Sequence, residues 1–208
     1  GGEEESLMKE MVVISGKGGT GKTTLVASFA ALSERKILVD CDVDAADLHL
    51  VLNPRIERRQ DFSGGKKAFI LRDRCTGCGK CFEVCRFSAI STVSSPEGES
   101  RFEVDPIACE GCGLCARLCP VNAVRFEPVV NGQWFVSRTI YGPMVHAKLG
   151  IAQANSGKLV SLLRREARSV AENEKSNLLI VDGSPGIGCP VIASITGADL
   201  VVAVTEPT

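Results

Sequence analysis

The strongest constraint on this chain is a duplication of thiols. "CTGCGKCFEVC", residues 75–85, and "CEGCGLCARLC", residues 109–119, share the spacing C-x2-C-x2-C-x3-C at an offset of 34 residues. Eight of the ten cysteines lie in these two runs. Each run leads into a small residue and an apolar step, "SAI" and "NAV", and "SSPEGES", residues 94–100, reads as a loop between the copies. Such a segment is an internal repeat organised by whatever the thiols hold. A disulfide scaffold is the weaker reading, because such scaffolds are small, loop-rich and secreted. Here long strand and helix patterns flank the cysteines.

Those flanking patterns alternate. "MVVIS", 11–15, "KILVD", 36–40, "NLLIVDGSPG", 177–186, and the segment from about Leu200 read as buried parallel strands. "TTLVASFAAL", 23–32, and "GKLVSLLRREARSVAENE", 157–174, read as helices, the second with Leu159, Leu162, Leu163 and Val170 on one stripe. Strands alternating with helices predict an α/β fold, a doubly wound parallel sheet with helices on both faces. The expected organisation is a leader or scar at 1–8, a sheet domain at 9–72 and 129–208, and an inserted α+β cysteine domain at 73–128. "VVNGQWFV", 129–136, reads as a hairpin turning at Asn-Gly, with Trp134 a packing residue.

The first strand runs into Gly16-Lys17-Gly18-Gly19-Thr20-Gly21-Lys22-Thr23, followed by Thr24, which fits G-x-x-x-x-G-K-[ST] between a strand and a helix. Glycines let successive N–H groups face phosphate oxygens, and the helix N-terminus adds positive charge. Lys22 is placed to bridge the β and γ phosphates of ATP, and Thr23 to bind Mg²⁺. "ILVDCDVDAADL", 37–48, puts Asp40, Asp42, Asp44 and Asp47 at and beyond a strand end, where ligands bind in open α/β sheets. A capping role stays open for Asp40, Asp44 and Asp47.

The cysteine spacing is that of the bacterial ferredoxin run, in which the fourth cysteine ligates the other cluster. One [4Fe-4S] cluster would take Cys75, Cys78, Cys81 and Cys119, the second Cys109, Cys112, Cys115 and Cys85. Zinc is the alternative, since four-thiolate sites also use C-x2-C pairs. The second run ends Cys119-Pro120 and the first Cys85-Arg86; Arg86 is expected to raise the potential of the nearby cluster. Cys41 and Cys189 lie outside the runs and are expected to be small buried side chains. His49 and His146 receive no role.

Taken together, "SGKGGTGKTT", "LVDCDVDAADLHL", both cysteine runs, "NSGKLV", "VDGSPGIGCPVIAS" and "VTEPT" resemble the MinD/ParA superfamily of ATPases, related to the nitrogenase iron protein, with an inserted dicluster ferredoxin domain. Members are often labelled cobyrinic acid a,c-diamide synthase-like through shared fold, and nothing in the residues indicates amidotransferase chemistry. The resemblance implies that Lys17 reaches the nucleotide of a facing subunit in a homodimer. It implies that Asp42 orients the attacking water and that Asp182, with Thr23 and Asp42, serves Mg²⁺. Gly183 and Gly186 would let the following loop respond to the γ-phosphate. The family continues past "TEPT", so the chain reads as partial.

Three functions follow from that resemblance. The first is ATP-driven switching of a dimer that gates electron transfer to a redox partner protein. The second is an iron–sulfur carrier or assembly ATPase, and the third a MinD-like positioning ATPase. A net charge of −1 gives no field for nucleic acid or an anionic membrane. No apolar run nears the roughly 20 residues of a membrane span. The acidic "GGEEES" start and the reduced thiols fit a cytoplasmic protein, with Met8 or Met11 its natural start.

Overall fold

A computed structural model describes residues 8–43, 46–94, 100–150 and 156–206. In chain order the elements are β1 (Lys9–Ser15), α1 (Lys22–Leu32), β2 (Lys36–Asp40), α2 (Leu48–Leu52), β3 (Arg55–Phe62), β4 (Gly65–Ile70), α3 (Lys80–Glu83), β5 (Ile90–Ser94) and β6 (Ser100–Val104). They continue as α4 (Leu114–Leu118), β7 (Val124–Val129), β8 (Gly132–Thr139), β9 (Gly142–Leu149), α5 (Ser156–Glu174), β10 (Leu178–Pro185), α6 (Cys189–Ile195) and β11 (Leu200–Val204). The described residues fall into two compact units, one within Gly1–Phe62, Gly132–Gly150 and Asn155–Thr208, the other within Ser63–Asn131.

The first unit is a seven-stranded sheet in the order β11-β1-β10-β2-β9-β8-β3. β11, β1, β10, β2 and β9 run parallel, and β8 and β3 complete the sheet antiparallel. Side chains alternate across a strand, so neighbouring residues feed two cores. Val12, Ile37, Val39, Leu179 and Val181 pack with Leu159, Leu163, Ala167 and Ala171 of α5. Val13, Leu38, Ile180 and Met144 pack with Val26 and Ala30 of α1 and Leu48 and Leu52 of α2. Helices therefore cover both faces, and the fold class is α/β with a mostly parallel sheet. No helix among the described residues is long and apolar enough to cross a membrane.

The antiparallel edge departs from the sequence expectation. "RIERRQDF" has no apolar alternation, yet it forms β3, exposed along all but its last residue. An edge strand of this charge resists pairing with other chains. It is held by its ladder to β8 and by arginines over aromatic rings, Arg58 on Trp134 at 4.9 Å and Arg59 on Phe135 at 5.5 Å. Trp134 is a buried packing residue, as expected.

The hairpin expected at Asn131-Gly132 does not form. β7 pairs with β4, while β8 pairs with β3 and β9. Asn131 instead accepts the Gly64 N–H on Oδ1 at 2.7 Å. Gly132 is required by close approach, since a Cβ there would meet Lys148 O at 2.6 Å. The hairpin of this region joins β8 to β9, where Thr139 Oγ1 donates to Gly142 O. The chain leaves the sheet at Phe62 and returns at Gly132, partners in the β3–β8 register.

The second unit begins at Ser63, wider than the expected 73–128, because β4 supplies the partner of β7. Its two halves exchange strands: β4, ahead of the first cysteine run, pairs with β7 behind the second, and β5 pairs with β6. The 34-residue offset is visible in single hydrogen bonds. Leu71 N–H donates to Ala123 O and Asp105 N–H donates to Ala89 O, both at 2.7 Å. Ala89 and Ala123, the two acceptors, are both buried.

Candidate nucleotide and cluster sites

The candidate nucleotide site is assembled at the C-terminal ends of three adjacent parallel strands, β1, β10 and β2. Register sets Val13 beside Asp182 and Asp182 beside Asp40. Beyond Ser15 the loop turns through Gly19 and Gly21, with φ of 81° and 84°, and Lys22 opens α1. A Cβ on Gly16 or Gly18 would meet nothing within 4 Å, so no packing demand explains glycine there. Open space beside the backbone suits a ligand drawn close to the N–H groups. Thr20 Oγ1 is buried with no hydrogen-bond partner, and Thr24 is exposed.

Lys22, Thr23, Asp42 and Asp182 converge. The Lys22 ammonium donates to Asp182 Oδ1 at 2.5 Å and to Asp42 Oδ2 at 3.3 Å. Thr23 Oγ1 donates to Asp182 Oδ2 at 2.9 Å. Asp42 is positioned by its own N–H, which donates to Asp40 Oδ1 at 3.1 Å. Burial works to lower the Lys22 pKa, but the charges and hydrogen bonds of Asp182 and Asp42 outweigh it and hold the ammonium above its usual value. Burial pushes the Asp182 carboxyl up against the opposing pull of Lys22 and Thr23. Asp40, fully buried, is pushed well above the carboxylate range by desolvation and then by Asp182. A hydroxyl, two carboxylates and an ammonium in one place form a donor set that fits a phosphate chain with its divalent cation.

Lys17 stands apart from that network. Its exposed ammonium pairs with Glu206 at 2.6 Å. Gly183 is a strand residue: its Cβ would lie 2.8 Å from Val13 O and 2.9 Å from Ile14 Cγ2, so glycine serves the contact of β10 with β1. Gly186, at φ 89°, follows in the loop and donates its N–H to Ser15 O. Asp44 lies outside the described residues. Asp47 holds the N-cap position of α2 without a side-chain cap bond.

In the second unit, the third cysteine of each run sits in a short helix, Cys81 in α3 and Cys115 in α4, and both are buried. Gly79 and Gly113, each at φ 74°, open these helices. Burial raises both thiol pKa values. Cys85 lines one cavity together with Cys109, Cys112 and Cys115. The fourth thiol of the first run thus faces the first three of the second, the crossed arrangement that two cubane clusters require. Among the described residues, no three Cys, His, Asp or Glu side chains close on a single-ion position. The donor set, all thiols with the fourth of the first run beside the first three of the second, fits [4Fe-4S] ligation.

Outside the runs, Cys41 is buried, while Cys189, expected to be buried too, is exposed. The reason is its place at the first turn of α6, directly after the Gly186–Gly188 loop. Sequence reasoning also left His49 and His146 separate, and the fold stacks them at 6.3 Å. His146 Nε2 is 2.8 Å from Ser137 Oγ, and burial, with the charge of His49, lowers its pKa to about 4. The pair comes from α2 and β9, which no local pattern connects.

Fold and sites together define a P-loop NTPase-type α/β sheet carrying an inserted ferredoxin-type unit. The family model of the 4Fe-4S dicluster domain matches residues 41–123, all eight cysteines of the two runs included. The chain is 32% identical over 206 residues to "Uncharacterized protein MJ0578" of Methanocaldococcus jannaschii, covering 97% of this chain and 69% of that one. It belongs to that protein's family. A second relative from the same organism, "Uncharacterized protein MJ0579", is 26% identical over 211 residues, covering 97% of this chain and 71% of its own length. Among solved structures, the septum site-determining protein MinD complexed with Mg-ADP from Pyrococcus horikoshii aligns with a TM-score of 0.41 and 15% identity, over 97% of this chain and 59% of that one. That overlap is too loose to add to the fold described above.

Proposed function

We propose that this protein binds and hydrolyses MgATP at the loop of residues 16–24 and uses the nucleotide cycle to govern electron transfer through two [4Fe-4S] clusters. The observation that carries the reading is the Lys22–Asp182–Thr23 cluster in a chain that also gathers Cys85 with Cys109, Cys112 and Cys115 around one cavity. Asp182 engages both the ammonium and the hydroxyl that phosphate and cation would claim. Binding therefore requires these partners to be exchanged, and Asp182 lies within β10, whose end leads into the Gly186 loop. The nucleotide state is thereby translated into a rearrangement at the end of β10.

Lys22 is assigned to the β and γ phosphates, Thr23 with Asp182 and Asp42 to the cation, and Asp42 to the attacking water. Lys17 is assigned to the nucleotide of a facing subunit, which it reaches after leaving Glu206. Cys75, Cys78, Cys81 and Cys119 would hold one cluster and Cys109, Cys112, Cys115 and Cys85 the other, and the clusters would supply one-electron storage. Full ligation by eight thiolates favours electron transfer over cluster delivery, because a donor site needs a labile position. The test is to measure the cluster midpoint potentials of the reconstituted protein with and without MgATP. A shift supports coupling; potentials that ignore the nucleotide end it.

A further inference from the structure

β10 and β2 stay in register through Asp182 and Asp40, where their ladder ends. One step further, Cys41 N–H donates to Asp182 O at 2.8 Å. The Cys41 carbonyl is then met by a side chain: Ser184 Oγ donates to it at 2.6 Å. On its other edge β10 shifts register against β1, from Val13 beside Asp182 to Ser15 beside Pro185. Three steps along β10 thus answer two along β1. An extra residue of this kind bends a strand and re-aims its side chains.

Cys41 O and Asp42 N belong to one peptide group, which is planar and stiff. That group is held at both ends, its oxygen by Ser184 Oγ and its N–H by Asp40 Oδ1 at 3.1 Å. Fixing the plane restrains the direction in which Asp42 leaves the backbone, and Asp42 Oδ2 lies 3.3 Å from the Lys22 ammonium. Ser184 and Cys41 are both buried, which shields the bond from competition by solvent. The place of Ser184 in the chain matters as much. It stands two residues after Asp182 and two before Gly186, whose N–H donates to Ser15 O. A hydroxyl on β10 therefore restrains the aspartate that follows β2.

We propose that Ser184 is a positioning residue for nucleotide hydrolysis, acting through the Cys41–Asp42 peptide. Displacement of the end of β10 carries the hydroxyl with it and frees that peptide, so the orientation of Asp42 follows the state of the Gly186 loop. This role rests on the reading of the site as one that hydrolyses MgATP, with Asp42 orienting the attacking water. No bond is made or broken at Ser184; its hydroxyl acts on the backbone alone. Losing it leaves a buried carbonyl without this donor and loosens the group that aims Asp42. A small misplacement of a group that orients a reactant is costly in rate.

The experiment uses the reconstituted full chain with Ser184→Ala and Ser184→Thr. Phosphate release gives kcat and KM for ATP, and amide hydrogen exchange by NMR follows the Asp42 N–H. Ser184→Ala should lower kcat roughly five- to tenfold and leave KM within about twofold. Its Asp42 N–H should exchange roughly tenfold faster, while that of Val39, inside the ladder, keeps the parent rate. Ser184→Thr retains the hydroxyl and should return both readings toward the parent. Unchanged Asp42 exchange in Ser184→Ala would overturn the positioning role. So would faster exchange with unchanged kcat, or a raised KM at constant kcat, since either leaves the bond without a part in turnover. A Ser184→Thr protein that folds as the parent does yet behaves like Ser184→Ala would overturn it too. Should the added methyl prevent folding, the two Ser184→Ala readings decide. A parent chain without ATP turnover would instead end the nucleotide reading, and the role of Ser184 with it.

Discussion

Asp182 holds Lys22 and Thr23 at once, the ammonium 2.5 Å from one carboxylate oxygen and the hydroxyl 2.9 Å from the other. A single buried carboxylate on β10 thereby restrains the first two residues of α1, which follow the glycine loop. Lys22 is also the cation that makes burial of Asp42 and Asp182 tolerable. Replacing it with alanine leaves both carboxylates without that cation, a change of the kind that costs about 3 kcal/mol. We expect Lys22→Ala to lose ATP turnover, to unfold at lower temperature without nucleotide, and to retain its full iron. A phosphate-release assay, thermal unfolding and iron analysis check the three outcomes separately.

Asp40 offers a test of opposite sign. Burial and the neighbouring Asp182 raise its pKa well above 3.8. Its contribution is therefore fully present below the unfolded value and is lost as pH rises toward the folded one. Asp40→Asn keeps an oxygen for the Asp42 N–H and removes the ionisation. The variant should gain roughly 1 kcal/mol at pH 7, about 2–4 °C in Tm, with no gain near pH 3. Equal Tm values for the two proteins at pH 7 would count against a strained carboxyl at this position.

His146 titrates the other way. Its pKa is lowered from 6.5 to about 4, so the neutral ring contributes stability that is present above pH 6.5 and is lost as pH falls toward 4. The shift corresponds to roughly 3 kcal/mol. His146→Gln, which can still meet Ser137, should flatten the stability profile between pH 7 and pH 4.5. Denaturant unfolding at those two values reads it directly.

Gly183 has no room for a methyl group. A Cβ would approach Val13 O at 2.8 Å and Ile14 Cγ2 at 2.9 Å, and the backbone oxygen cannot move aside without parting β1 from β10. Gly183→Ala should cost roughly 1–3 kcal/mol and weaken nucleotide binding by shifting the adjacent Asp182. A variant as stable as the parent would show that the two strands have slack.

Cys85 tests the crossed ligation. It shares a cavity with Cys109, Cys112 and Cys115. Cys85→Ser should disturb the cluster of the second run and leave that of the first, lowering iron from ~8 toward ~4 per chain. Loss of the cluster built on Cys75, Cys78 and Cys81 instead would mean that each run closes its own site.

Local chemistry marked much of this protein in advance. The glycine loop lies between an apolar strand and a helix, the α5 stripe repeats at helical period, and the cysteine spacing repeats without change. Each of these is a short-range pattern, set by backbone conformation within a few residues of itself. Where the sequence misled, the cause was partnership. "VVNGQWFV" has the turn residues of a hairpin, but Asn131 is held by Gly64 and Gly132 by the approach of Lys148, so the two strands go to different sheets. "RIERRQDF" shows no strand signal because its stabilising contacts, the Trp134 and Phe135 faces, lie on another strand.

The residues alone determined the alternation of strands and helices, the glycine loop and the two cysteine runs, because each is written within a few turns of chain. Only the tertiary structure decided that Lys22 rests between Asp42 and Asp182, that His49 meets His146, and that β4 and β7 pair across the two cysteine runs. These are contacts between segments far apart in sequence. Their geometry follows from strand order, register and burial, which no local spacing encodes.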